Sequence, residues 1–167
     1  SQIEALTTNQ IAALTSLQTP TISILPFSTL DSAQLAAFDT SDLSALSSKQ
    51  IATLKSAQLA ALSTSQIAAL TSLQIFALST STIAALTTLN LSMIDTAEFT
   101  TLTTRQIAAL TSTQIASLST KQIAALTTSQ ASALSTSAIA NLSTSEIASI
   151  ETANLAALRT DQLRALT

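Results

Sequence analysis

The chain contains no glycine, cysteine, histidine, tryptophan or tyrosine. Without histidine or cysteine it can build neither a Ser-His-Asp or Cys-His nucleophile system nor an imidazole or thiolate metal site. Without glycine it has no glycine-rich phosphate loop and lacks the usual residue for tight left-handed corners. Disulfides are excluded, which leaves the redox compartment open. No lysine follows a serine at a spacing of three, so the Ser-x-x-Lys nucleophile pattern is missing too. These absences predict a protein that is not an enzyme, with no catalytic, cofactor-binding or metal-ligating residue.

Charge is almost as scarce. Six basic and nine acidic residues give a net charge of −3, and the cations are too scattered to neutralise a row of phosphates. Nucleic acid and anionic membrane surfaces are therefore not expected as partners. Mean hydropathy is positive, at +0.47, yet hydroxyl residues interrupt every apolar stretch well before the ~18 residues that a transmembrane helix needs.

What the chain does have is one eight-residue phrase, L-T-x-x-Q-I-A-A, written repeatedly and seen clearly over residues 102–118. Each copy reads as a helix start. Thr111 takes the N-cap, Ser112 and Thr113 the first two helical positions, Gln114 the third (N3) and Ile115 the fourth (N4). A hydroxyl at the N-cap accepts from the N3 amide, a Gln at N3 reaches back to the N-cap amide, and apolar residues on either side clamp the entry. The same roles fall to Thr103 with Gln106 and to Ser119 with Gln122. Ile107, Leu110, Ile115, Leu118, Ile123 and Leu126 form the predicted core. In this scheme each Leu closes one helix and opens the next.

A single long α-helix is excluded, because a period of eight drifts by about 80° per copy and keeps no seam buried. A β-solenoid is the competing reading, since Ser/Thr ladders suit stacked strands. Against it, Ile115 and Leu118 lie three apart and would face opposite sides of a strand; alanine is abundant, and strands avoid it. The expected fold is thus an all-α solenoid of very short helices, about 21 octads in one repeat domain over 1–167. A helix of about six residues does not persist alone, so stability must come from neighbouring units, with local contacts.

The columns of the repeat carry further expectations. N3 holds Gln through most of the chain, with Asp42, Glu98 and Glu146 as stand-ins, so the pairs Asp39/Asp42 and Asp95/Glu98 read as caps. The N-cap is Ser, Thr or Asp except at Lys55, Glu151 and Arg159, which cap less well. A helical wheel turns the second helical position outward, and that column carries Lys49, Arg105, Lys121 and Asp161. Ala13, Ala69, Ala85, Ala109 and Ala125 share a column whose small side chains invite close approach, between turns or between molecules.

Residues 17–30 break the pattern. Thr19 stands in the core column, Pro20 falls inside the expected helix and Pro26 replaces the N3 Gln, which predicts irregular or extended coil there. The start at Ser1, without Met and in phase with the repeat, suggests a processed product or a piece of a longer array.

Runs such as L-S-T-K-Q-I-A-A-L at 118–126 resemble the octapeptide arrays of very large bacterial secreted or cell-surface proteins, and the likeness extends over essentially the whole chain. The resemblance implies an extracellular or cell-surface setting and a structural role. The opening of TAL-effector repeats is similar for one phrase, but their longer unit and basic surface are absent. The expected function is accordingly a rod, filament or surface fibre or adhesin stalk that self-associates end to end or laterally, with O-glycans on outward Ser and Thr. The alternative is a binding surface built on the solenoid, for ice or for a protein partner at 17–30 or Phe76.

Overall fold

The computed structural model describes residues 2–166, except for the side chain of Pro26. Ser1, and what its position suggests about processing, lies outside the described residues, as does the ring of Pro26.

One helix forms in each octad, and each is short. Ser48–Ile51 has four residues, Thr104–Ala108 five and Thr40–Ala45 six. There is no strand among the described residues, so the β-solenoid alternative is contradicted. The physical reason lies in the N-cap geometry. Thr103 sits at φ −69°, ψ 158° with its side chain accepting from the Gln106 amide, while the Gln106 side chain accepts from the Thr103 amide. Both orphan donors of the first turn are thereby satisfied, and Ile107 N–H closes the turn on Thr103 O at 3.0 Å.

The Leu column ends the helix earlier than expected. Leu110 and Leu118 donate to carbonyls only three residues back, at 3.1 Å each, the tightened geometry common at helix ends. Where Leu is itself the cap it is extended, with φ −60°, ψ 143° at Leu46 and φ −63°, ψ 144° at Leu78. Leu and the N-cap that follows therefore form a two-residue extended link. This turns the chain without any left-handed residue: no positive φ occurs among the described residues. The repeat can dispense with glycine for that reason.

Each helix packs on the helix three units ahead, Thr104–Ala108 on Thr128–Ala133 and Thr120–Ala124 on Thr144–Ser149. The side-chain links between turns, described below, span 28–31 residues. One superhelical turn therefore takes between three and four octads, a number that no column of the sequence reveals. Ile and Leu from successive units meet inside, and their buried cluster runs from Ile11 to Leu158. Burying each such side chain contributes roughly 2 kcal/mol, the main term available to helices this short.

Column, more than residue type, decides burial. Phe27 and Phe99 replace Ile in the core column and Phe38 replaces Leu; all three are buried, and the rings of Phe27 and Phe38 meet in a tilted contact, centroids 6.2 Å apart. Phe76, one position after the core Ile75, is 56 % exposed. Lys49, Arg105, Lys121 and Asp161 all point to solvent. Ala69, Ala85, Ala109 and Ala125 are half-buried within the chain, whereas Ala13 is exposed.

The irregular stretch is more ordered than expected. Thr19–Thr21 forms a 3-10 turn that takes Pro20 in its first turn, and Ile24–Ser28 is helical. Proline costs no hydrogen bond in a first turn, where the amide has no partner to lose. Thr19 is fully buried in the core column, and its hydroxyl donates to Asp42 O at 3.3 Å.

Candidate functional site

The N3 glutamine is the residue on which the architecture turns. Its Oε1 accepts from the N-cap amide of its own helix, at 2.7 Å for Gln106 and Thr103, 2.8 Å for Gln114 and Thr111, and 2.9 Å for Gln122 and Ser119. Its Nε2 does something the octad alone does not announce. Gln106 Nε2 donates to Leu78 O at 2.8 Å and to Ile75 O at 3.2 Å. Gln114 reaches Leu86 O at 2.7 Å, and Gln122 reaches Ile94 O at 2.8 Å. These carbonyls belong to the end of a helix in the preceding turn, the groups that a helix C-terminus leaves without a partner.

One side chain therefore caps two helices, the start of its own and the end of another about 28 residues earlier. The pattern recurs along the chain, from Gln34 with Leu6 O at 2.8 Å to Gln162 with Leu134 O at 2.8 Å. Interior members are almost wholly removed from water; Gln50, Gln74, Gln106 and Gln122 are 1–2 % exposed. Both ends of the buried amide are thereby satisfied, as burial of a polar group requires. Gln10 and Gln18, which belong to the first turn, are exposed.

Shorter stand-ins confirm what the link needs. Asn90 Nδ2 donates to Leu62 O at 3.3 Å, Asn154 Nδ2 donates to Leu126 O, and Thr82 Oγ1 donates to Leu54 O at 3.1 Å. Each reaches the carbonyl 28 residues back, and each supplies a donor. Carboxylates cannot. Glu146 serves only its own helix, accepting from Ser143 N at 2.7 Å and Ser143 Oγ at 2.6 Å. Glu98 accepts from Ser72 Oγ at 3.0 Å, and Asp95 beside it makes no side-chain cap, so the expected Asp95/Glu98 capping pair does not form. Asp39 does cap, accepting from Asp42 N at 2.8 Å and from Ser41 Oγ at 2.8 Å. The backbone N–H of Asp42 and then the Ser41 hydroxyl hold the Asp39 carboxyl below its ordinary range.

The two halves of the cap are separable. At Lys55 and Arg159 the N-cap side chain accepts nothing, yet Gln58 and Gln162 still take the backbone amide at 2.7 Å each. Glu151 also makes no side-chain cap. The predicted core residues lie inside, Ile107 at 1 %, Ile115 and Ile123 at 0 %, Leu110 at 4 %, and Leu118 and Leu126 at 5 % exposed. No group of three or more acidic, His or Cys side chains that could hold a metal ion occurs among the described residues.

Reading the octad alone missed the outer half of the glutamine. A signal was present. Glu would cap the N-terminus as well as Gln and would suit the helix dipole better, so a column that so regularly chooses the uncharged amide must also be using its N–H groups.

No curated protein and no solved structure matches the chain. The sequence model of one family, described as the ALTTAQ repeat, matches twice, over residues 51–88 and 91–128, each match covering several consecutive octads. With the geometry of the octad and these two matches together, the chain is a helical repeat protein, and its residues 51–88 and 91–128 match the ALTTAQ repeat.

Proposed function

We propose that the chain is a structural solenoid without catalysis, a rod or filament segment that spaces or carries other parts, as in a surface fibre or adhesin stalk. The observation that supports this most is the glutamine link. It recurs from Gln34 to Gln162 and ties successive turns through the same kind of side-chain-to-carbonyl bond, so length grows by repetition and no surface is singled out for chemistry. An extracellular or cell-surface setting follows from the resemblance of the octads to secreted repeat arrays. No helix among the described residues is long and apolar enough to cross a membrane.

End-to-end association is part of the proposal. Leu155 and Leu163, in the core column of the last turn, are 39 % and 46 % exposed, against 0–1 % for Ile107, Ile115 and Ile123. The opposite face carries the exposed amides of Gln10 and Gln18. The apolar columns and helix-end carbonyls of one turn and the glutamine amides of the next are the two sides of the link described above, so further octads or a second copy would seat on them head to tail in the same register. Electron microscopy and X-ray scattering over a concentration series provide the test. Extended particles that lengthen with concentration are expected; a compact sphere at every concentration would overturn the reading. Thr113 and the other exposed hydroxyls of the second helical position are the proposed O-glycan acceptors, and an intact mass of 17.2 kDa from native material would remove that element.

A further inference from the structure

Asp42 is the exception in the N3 column that the capping scheme leaves unexplained. Its residue is 1 % exposed, and its Oδ2 is buried without any hydrogen-bond partner. It does not reach back to the Asp39 amide as a Gln would; the cap here is one-sided, from Asp39 to Asp42 N. The register says what lies opposite. Gln50, Gln58, Gln66 and Gln74 donate to the carbonyls of Ile22, Leu30, Phe38 and Leu46, each 28 residues back. For Asp42 the corresponding carbonyl is that of Leu14. The reach is sufficient, because Asn90 and Asn154, isosteric with Asp, span the same step.

We infer that Asp42 is a proton-operated latch for the first turn. As a neutral acid its Oδ2–H donates to Leu14 O and completes the link that glutamine makes elsewhere; as a carboxylate it sets oxygen against oxygen and releases the turn. A carbonyl oxygen accepts but never donates, so only the protonated form can close this pair. The surroundings leave the acid alone to decide. Helix Thr40–Ala45 packs on Thr19–Thr21 and on Thr64–Ala68, and neither carries a charged residue. On its own element the charged neighbour is Asp39, whose carboxylate disfavours a second charge. Burial first, and then Asp39, push the Asp42 carboxyl above its ordinary range.

A group whose folded pKa is raised stabilises the folded state fully below its unfolded value, and that contribution is lost as pH rises through the folded value. Docking of the first turn should therefore weaken by up to about tenfold for each pH unit above the raised pKa of Asp42. The experiment is amide hydrogen exchange on the full chain from about pH 4 to about pH 8, corrected for intrinsic rates, on the wild type and on Asp42→Asn. The expected result is loss of protection over residues 6–22 with rising pH in the wild type and a flat profile in D42N, with protection over 103–134 unchanged in both. A parallel carboxyl carbon titration of the wild type by NMR reads the same proton without mutation and should place Asp42 above the ordinary aspartate range. The same pH trend in D42N as in the wild type, or an Asp42 carboxyl titrating at or below that range, would overturn the latch.

Discussion

The regular run 103–134 and the irregular run 17–30 hold the same superhelix with very different sequences. In the first, every N3 position is a glutamine that links backward: Gln106, Gln114, Gln122 and Gln130 all reach the carbonyl 28 residues earlier. In the second, one core position is threonine, two prolines intrude, and Gln18 is exposed. Yet the irregular run is held from the following turn. Gln50 donates to Thr19 O at 3.2 Å and Ile22 O at 2.9 Å, and Gln58 donates to Leu30 O at 2.6 Å. The receiving end of the link requires only backbone carbonyls, which every residue supplies, proline included. Sequence demand sits on the donor side, and so a defect can be passed over if the next turn is intact.

This contrast can be broken in order of cost. Ile107→Ala, in the regular run, opens a cavity in the continuous core and should cost about 3 kcal/mol, read as a lower urea midpoint. Gln106→Glu keeps the size and the cap of Thr103 but puts a buried carboxylate against Ile75 O and Leu78 O. It should cost about 2–3 kcal/mol, with loss of hydrogen-exchange protection at the end of helix Ser72–Ala77. Were only the helix start at stake, this change would be near neutral. The counterpart, Gln50→Glu, should loosen residues 19–22, which convert the tolerated defect into a frayed segment in a protease digest.

Smaller effects sharpen the comparison. Thr103→Ala removes the hydroxyl half of one cap and should cost about 1 kcal/mol; Lys55 and Arg159 already show helices that form without it. Arg105→Ala, exposed in the outward column, should stay within about 0.5 kcal/mol. Asp39 gives a pH signature opposite in sign to that of Asp42. Its folded pKa is depressed, so its contribution is present above the unfolded value and is lost as pH falls through the folded one. Exchange protection of helix Thr40–Ala45 should therefore decline in strong acid. The hydroxyl-capped helix Thr104–Ala108 should not follow it.

Much of the fold was legible in the octad. Hydroxyl, glutamine and isoleucine at fixed spacing specify where each helix starts, and the two aliphatic columns specify the face it buries. What could not be read is how far the chain travels before it meets itself, because an octad written almost identically throughout contains no mark of which copy is its neighbour. The outer half of the glutamine was only half legible: the choice of Gln over Glu marks a donor in use, but its partners are backbone carbonyls, which leave no trace in a sequence. Residues 17–30 are more regular than the sequence suggested, because the missing donor of Pro20 was weighed against a helix interior. The observed elements are so short that almost all of each is first turn, where that donor is not needed.

The most direct measurement of the central claim is the exchange rate of glutamine side-chain amide protons, resolved by NMR. If Nε2 groups tie successive turns, those of Gln106, Gln114 and Gln122 exchange far more slowly than those of Gln10 and Gln18, which lie exposed in the first turn. Equal, free exchange of all five would mean that the amides touch water throughout, and that the turns are held by the aliphatic core alone.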